Sequence, residues 1–407
     1  MKKPFLERLK KKEPENEMNP ENYNRRLEQV EEGDAAAQKE GCAWFQKMAE
    51  RGYANAKFVL AMCLRDGIGT EADTAQAVQW LKASAEQGYH EAQFLMGVYC
   101  IQGNLKEIET DEEVGKQWLE LAVEQHDHEA EYFYGMYLLN LAEEETAEET
   151  RGFLLIQSAA ISGILRAEFE TGRCLYFGIG TAENREEGYT WIIRAAEEGL
   201  AEAQDFAGMC CIYGTGTEQN APQGMLWLEK AAAQELPSAL FHLGDCYFQG
   251  LGTEKNFEKA YAYLHRGAEA GSPDAQFAVG MLLYNGEHLA ENKAQAVHWL
   301  QCAAEQGNEE AMIQLGLCYL SGDGVAEDAE KGFALFEKAA ESGNPEAVNM
   351  LGRGYMDGTG VAQDQKKAFV LFQQAAASGH AAAEYNLGDC YFNGLGTDLD
   401  AEEAVKW

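Results

Sequence analysis

Proline is scarce in this chain, seven in 407 residues, which suits helices, because an interior proline removes a hydrogen bond and breaks the helix. Basic residues are scarce too: 32 Lys and Arg stand against 68 Asp and Glu, a formal charge of −36. That deficit argues against nucleic acid, whose binding depends on neutralising phosphates with Lys and Arg, and against an anionic membrane surface. Long apolar runs are missing, and none approaches the ~18 residues that a spanning helix needs. The start, MKKPFLERLKKK, is basic, yet Phe5, Leu6 and Leu9 do not make the ~7–15-residue apolar run of a secretory signal. A cytoplasmic location is therefore expected. C-x-x-C spacing is absent among the ten cysteines, so no zinc site is expected.

What the chain has instead is one small residue at a nearly fixed spacing. Ala61, Gly97, Gly135, Gly172, Gly208, Gly244, Gly280, Gly316, Gly352 and Gly388 follow one another at intervals of 36 to 38 residues. A period in this range signals stacked supersecondary units. Each unit buries its apolar face only against its neighbours, so the length does not imply separate globular domains. Ten copies start near Ala54, Glu91, Glu129, Arg166, Ala201, Ser238, Asp274, Glu310, Glu346 and Ala382. Each reads as a first helix, a Gly-rich turn, a second helix and a short return. Residues 24–53 read as a degenerate N-terminal capping unit, whose second half, GCAWFQKMAERGY, matches the repeat. Residues 1–23 read as a basic, polar, disordered tail, or alternatively as a docking arm for an acidic surface. The last copy, ending at Trp407, is expected to be truncated in its second helix.

Each position in the repeat has its own chemistry. Alanine stands five before the marker in all ten copies, and an apolar residue usually stands one before it. Positions −5, −1 and +3 form one stripe of a helix. Six cysteines (Cys63, Cys174, Cys210, Cys246, Cys318, Cys390) share position +2 and read as small buried apolar residues. All seven tryptophans fall in one slot of the second helix, three after an invariably small residue. They read as the knobs that pack against a neighbouring helix. Asp73, Asp111, Asn184, Asn220, Asn256, Asn292, Asp328, Asp364 and Asp400 stand seven before that slot, as N-caps do. Gly88, Gly163, Gly199, Gly271, Gly307, Gly343 and Gly379 read as the C′ residues that close the second helix. Ser272-Pro273 and Asn344-Pro345 read as a cap followed by proline at N1.

Two motifs that resemble sites read as structure. The G-x-G-T turns, such as Gly250-Leu251-Gly252-Thr253, follow a helix and lack the third glycine of a dinucleotide fingerprint, so they are expected to be interhelix turns. His126-Asp127-His128-Glu129 is dense in ligand types, but a spacing of two does not put both imidazoles on one helical face. No metal or cofactor is expected, and no catalytic set can be nominated.

The pattern A-x-x-x-L-G-x-C-Y-x-x-G-x-G-T…D/N…A-x-x-W-x-x-x-A-A-x-x-G covers residues 54–407 and resembles the Sel-one-like repeat family, a relative of the tetratricopeptide repeats. Three copies depart from it in the turn, with GNLK, NLAE (within the acidic stretch 141–150) and GEHL. The resemblance implies an all-α, right-handed α-solenoid of antiparallel helix-turn-helix repeats of about 36 residues. It also implies a non-catalytic scaffold or adaptor that binds a protein or peptide partner, as bacterial arrays of this kind do in host interaction. A self-assembling structural array is the alternative. A β-lactam-binding hydrolase is a more distant one, because the family members linked to β-lactams carry a cysteine pair in each repeat and this chain does not.

The variation that could specify a partner lies on the first helix at positions −2, +1 and +5, which share a face apart from the core stripe. In tetratricopeptide-like solenoids the first helix lines a concave groove, and the resemblance places these residues there. The groove set is Phe133, Met136, Glu170, Arg173, Phe206, Met209, Tyr213, His242, Asp245, Gln249, Met281, Gln314, Arg353, Asn386 and Asp389. Its early members are mostly apolar, as are Val59, Met62, Leu95 and Val98 before them, with Glu170 and Arg173 charged, and its later members are mostly polar, Met281 apart. The partner is expected to be basic or apolar. The early apolar positions read equally well as additional core.

Overall fold

The structure, a computed structural model, describes residues 20–141, 146–286 and 290–407. Most of the expected tail, the centre of the acidic 141–150 turn and residues 287–289 of the GEHL turn lie outside the described residues. The chain divides into two units, residues 1–191 and 192–407, and among the described residues every regular element is a helix.

In the first unit the helices are α1 (Pro20–Glu32), α2 (Ala35–Glu50), α3 (Ala54–Asp66), α4 (Thr74–Ala85), α5 (His90–Gln102), α6 (Glu112–Glu124), α7 (His128–Leu141), α8 (Ala147–Ile161) and α9 (Leu165–Phe177). Helix α10 (Arg185–Glu197) contains the boundary between the units. The second unit continues with α11 (Ala201–Tyr213), α12 (Ala221–Ala232), α13 (Pro237–Gln249), α14 (Phe257–Glu269), α15 (Pro273–Asn285), α16 (Lys293–Glu305), α17 (Glu309–Ser321), α18 (Ala329–Ala340), α19 (Pro345–Asp357), α20 (Gln365–Ala377), α21 (Ala381–Asn393) and α22 (Ala401–Lys406). Within each unit the helices pair into hairpins and consecutive hairpins stack in sequence order, the packing of an all-α solenoid. Helix α1 begins at Pro20 and buries Tyr23, so helix starts ahead of residue 24.

The hairpin is built by a repeated polar device. Each of the nine expected cap side chains accepts a backbone N–H from the first turn of its helix, as Asp73 does from Gln76 at 2.9 Å and Asn256 from Lys259 at 3.0 Å. The cap's own N–H donates to the carbonyl three residues past the marker in the first helix, from Asp73 to Leu64 through Asp400 to Tyr391, at 2.7–3.0 Å. One residue thus starts the second helix and fixes it to the first. The C′ glycines hold φ between 76° and 101°. His126 and Glu235 occupy the same slot with φ of 57° and 59°.

Small residues set how closely the two helices approach. The ten alanines at −5 are all fully buried. A Cβ on Gly208 would fall 2.8 Å from the Leu228 side chain, and one on Gly224 would fall 2.6 Å from the Gly208 carbonyl. The knob is therefore the residue after the tryptophan slot. Phe45, Leu81, Leu119 and Ile156 in the first unit, and Ile192, Leu228, Leu264, Leu300, Phe336 and Phe372 in the second, are exposed by only 0–3%. Trp44, Trp80, Trp118, Trp191 and Trp299 are half-buried, Trp407 is exposed, and Trp227 is the buried member of its slot. The expectation that tryptophan is the knob fails because the side chain that meets the small marker position is that of the next residue and not the indole. It lies instead at the hairpin edge, as Trp44, Trp80 and Trp118 do beside the first core cluster.

Candidate functional site

The second glycine of the turn joins neighbouring hairpins. A Cβ on Gly252 (φ 70°) would meet the Ala221 carbonyl at 2.6 Å, and the equivalents Gly69, Gly180, Gly324, Gly360 and Gly396 likewise abut a carbonyl in the second helix of the hairpin before. A glutamine four before the marker makes a second joint. Gln204 donates to the Ala196 carbonyl at 3.0 Å and accepts from Gln234 at 2.9 Å. Gln93 repeats this with Ala85 and Gln125, and Gln276 with Ala268 and Gln306. These joints leave one side of the first helices to carry variable residues.

In the first unit Val59 is fully buried and Met62 nearly so, so in that hairpin the apolar positions are core. Phe133 and Met136 on α7 are half-buried. The Phe133 ring meets Phe94 edge-on at 6.0 Å, and Met136 packs on the cluster around Ile156. On α9, Arg173 donates to Glu170 at 3.0 Å and its guanidinium lies 5.9 Å from the Phe169 ring.

In the second unit Phe206 and Met209 on α11 are half-buried and Tyr213 is 53% exposed. His242 on α13 reaches back to α11, its Nδ1 2.8 Å from one Asp205 carboxylate oxygen, while the Ser238 hydroxyl donates to the other at 2.7 Å. Burial disfavours the charged ring, but the bond to Asp205 and the charges of Asp205, Asp245 and Asp274 outweigh it and raise the His242 pKa above its ordinary value. Ser238 and His242 both bind Asp205, so this arrangement does not set the imidazole as a base on the hydroxyl. Asp245 accepts from Gln249 at 2.7 and 2.8 Å, and Asp389 accepts from Asn393 at 2.7 Å. Asn386 on α21 donates to Asn349 on α19 at 2.8 Å. Met281 and Gln314 are half-buried, and Arg353 is exposed with Nη1 3.7 Å from the Met350 sulfur.

Asp205 and Asn349, which take the polar contacts of two neighbouring hairpins, were not in the expected set. Position −3 carries Phe58, Phe94, Tyr132, Phe169, Phe241, Phe277 and Tyr385 in seven copies and Ile313 in an eighth, so the polar residue at Asp205 and Asn349 was the available signal. The Asp127 of the histidine-rich stretch caps α7, accepting from Glu129 and Ala130 at 3.0 Å, and pairs with His90 Nδ1. His128 lies 2.8 Å from Glu131.

Stacked antiparallel hairpins joined at a glycine turn define a helical-hairpin repeat protein. The Sel1 repeat model matches residues 35–53, 54–89, 90–127, 165–200, 201–236, 237–272, 273–308, 309–344, 345–380 and 381–407, and the chain belongs to that family. The model passes over 128–164, the copy with the acidic turn. Among solved structures, c5321, a protective antigen of uropathogenic Escherichia coli strains displaying an SLR fold, is 29% identical with a TM-score of 0.63, over 94% of this chain and 81% of that one. A Sel1 repeat protein from Oxalobacter formigenes is 25% identical with a TM-score of 0.58, over 76% of this chain and 89% of that one. No curated protein matches the chain. No helix among the described residues is long and apolar enough to cross a membrane.

Proposed function

We propose that the chain is a non-catalytic scaffold that binds a protein or peptide partner along the variable face of successive first helices. The observation that carries this reading is the division of labour along each first helix. Positions −5, 0 and +2 repeat small residues and are mostly buried, while −2, +1 and +5 change from hairpin to hairpin and are in large part half-buried or exposed. A side that only filled space would not need that variety. Membership of the Sel1 family supports the same reading. The charge of −36 favours a partner with basic residues, because complementary charge speeds encounter and suppresses wrong partners. Exposed or half-buried methionines and aromatics such as Met209 and Tyr213 suit apolar side chains of varied shape. Hydrogen exchange on the partner-bound chain tests this, with protection expected on α11, α13 and α19 and unchanged exchange on the outer sides of α12, α14 and α18. Replacement of Met209 by Gln is expected to weaken capture without lowering the melting temperature. Unfolding of that variant would make the position core.

A further inference from the structure

One first-helix junction in the second unit contains a cavity. It measures about 90 Å³ and is walled by Leu317 and Leu320 of α17, Phe333 and Phe336 of α18, and Met350 and Gly354 of α19. Gly354 stands at the +2 position, where six other copies have cysteine. The Phe333 ring takes the room that such a side chain would need, since a Cβ on Gly354 would fall 2.5 Å from it. Arg353 and Asp357 also line the cavity. Both are exposed, and among the described residues neither has an ion-pair partner. They lie four apart on one helix, where side chains sit side by side. Met350, Arg353 and Asp357 occupy positions −2, +1 and +5 of their copy, so the opening is on the variable face.

We propose that this cavity is an anchoring subsite for one branched aliphatic side chain of a partner segment, flanked in that segment by a carboxylate for Arg353 and a cationic side chain for Asp357. The proposal rests on the scaffold reading above and names one of its contacts. The volume corresponds to about three waters at ~30 Å³ each, enough for the branch of a leucine. The wall is apolar on three helices, so the anchor gains by leaving water, and the two unpaired rim charges orient the segment that carries it. A second apolar surface without such charges would bind without register.

The test uses the full chain with methyl-labelled methionine and the peptide N-acetyl-Glu-Leu-Lys-amide. The Met350 methyl resonance is expected to shift saturably, and the Glu-Ala-Lys analogue to bind weaker by about tenfold or more, the worth of a buried leucine side chain. Asp357→Lys, an exposed change, is expected to weaken the Glu-Leu-Lys peptide by about fivefold, at the upper end of an exposed ion pair, and to favour Glu-Leu-Glu instead. Leu320→Phe, which fills the cavity, should abolish the shift while circular dichroism stays that of the parent. Equal binding of the leucine and alanine peptides, no effect of Asp357→Lys, or no shift at Met350 would each overturn the subsite. Shifts at Met209 or Met281 without one at Met350 would remove the subsite and leave the scaffold reading standing. A partner that protects only second helices in hydrogen exchange would remove the scaffold reading itself.

Discussion

Gly252 and Gly271 both hold a positive φ, 70° and 94°, but for different reasons. Gly271 closes α14, and a Cβ there would meet nothing within 4 Å, so Gly271→Ala should cost only the backbone strain, about 1–2 kcal/mol. Gly252→Ala adds a collision with the Ala221 carbonyl and should lower the urea midpoint by clearly more. Equal costs would show that the turn glycine is not a joint. The converse change is expected to stabilise: His126 holds φ 57° in the slot where seven copies have glycine, and His126→Gly should gain about 1 kcal/mol in urea unfolding. The C′ role was legible from the repeat alone because it depends on the local chain. The second glycine's role was not, because its partner carbonyl lies some thirty residues earlier and is brought close only by stacking, as Gly252 and Ala221 show.

At the scale of the element, a pair of small residues draws two helices together and a leucine or phenylalanine fills the gap beside them. Leu300 is fully buried with its side chain 3.0 Å from where a Gly280 Cβ would stand, whereas Trp299 next to it is half-buried. Leu300→Ala is expected to cost about 2–5 kcal/mol, and thermal unfolding should show it. The tryptophan slot stands out in the sequence because it is large and periodic, but which of two adjacent residues faces the partner helix depends on helix rotation, which the periodic pattern does not fix. A polar junction adds a pH dependence. The His242 pKa is raised in the folded chain above its ordinary 6.5, so its contribution to stability is fully present below that value and is lost as pH rises through the folded pKa. Melting temperature should fall across that window, and His242→Gln should remove that part of the fall. An unchanged profile in the variant would mean the ring contributes nothing to the α11–α13 junction.

The whole molecule is an acidic array of helical hairpins. A charge of −36 repels itself, and salt screens that repulsion, with a Debye length of about 8 Å at physiological ionic strength. The melting temperature should therefore rise from low salt to moderate salt, and a flat response would contradict strong self-repulsion. The repeat, its caps and its small residues were legible in the sequence because each recurs in register. The polar pairs of the variable face were less so: Asp205 with His242 and Asn349 with Asn386 join neighbouring hairpins, and each half looks like ordinary surface variation until the helices are placed side by side. The measurement that bears most directly on the account is quantitative capture of partners from the native host lysate by the wild-type chain, Asp245→Lys and Glu229→Lys, the last an exposed second-helix position. The account predicts that wild type and Glu229→Lys enrich the same protein and that Asp245→Lys loses about tenfold of it while its circular dichroism stays that of the folded chain. Retention of the partner by Asp245→Lys, or an equal loss with Glu229→Lys, would contradict it.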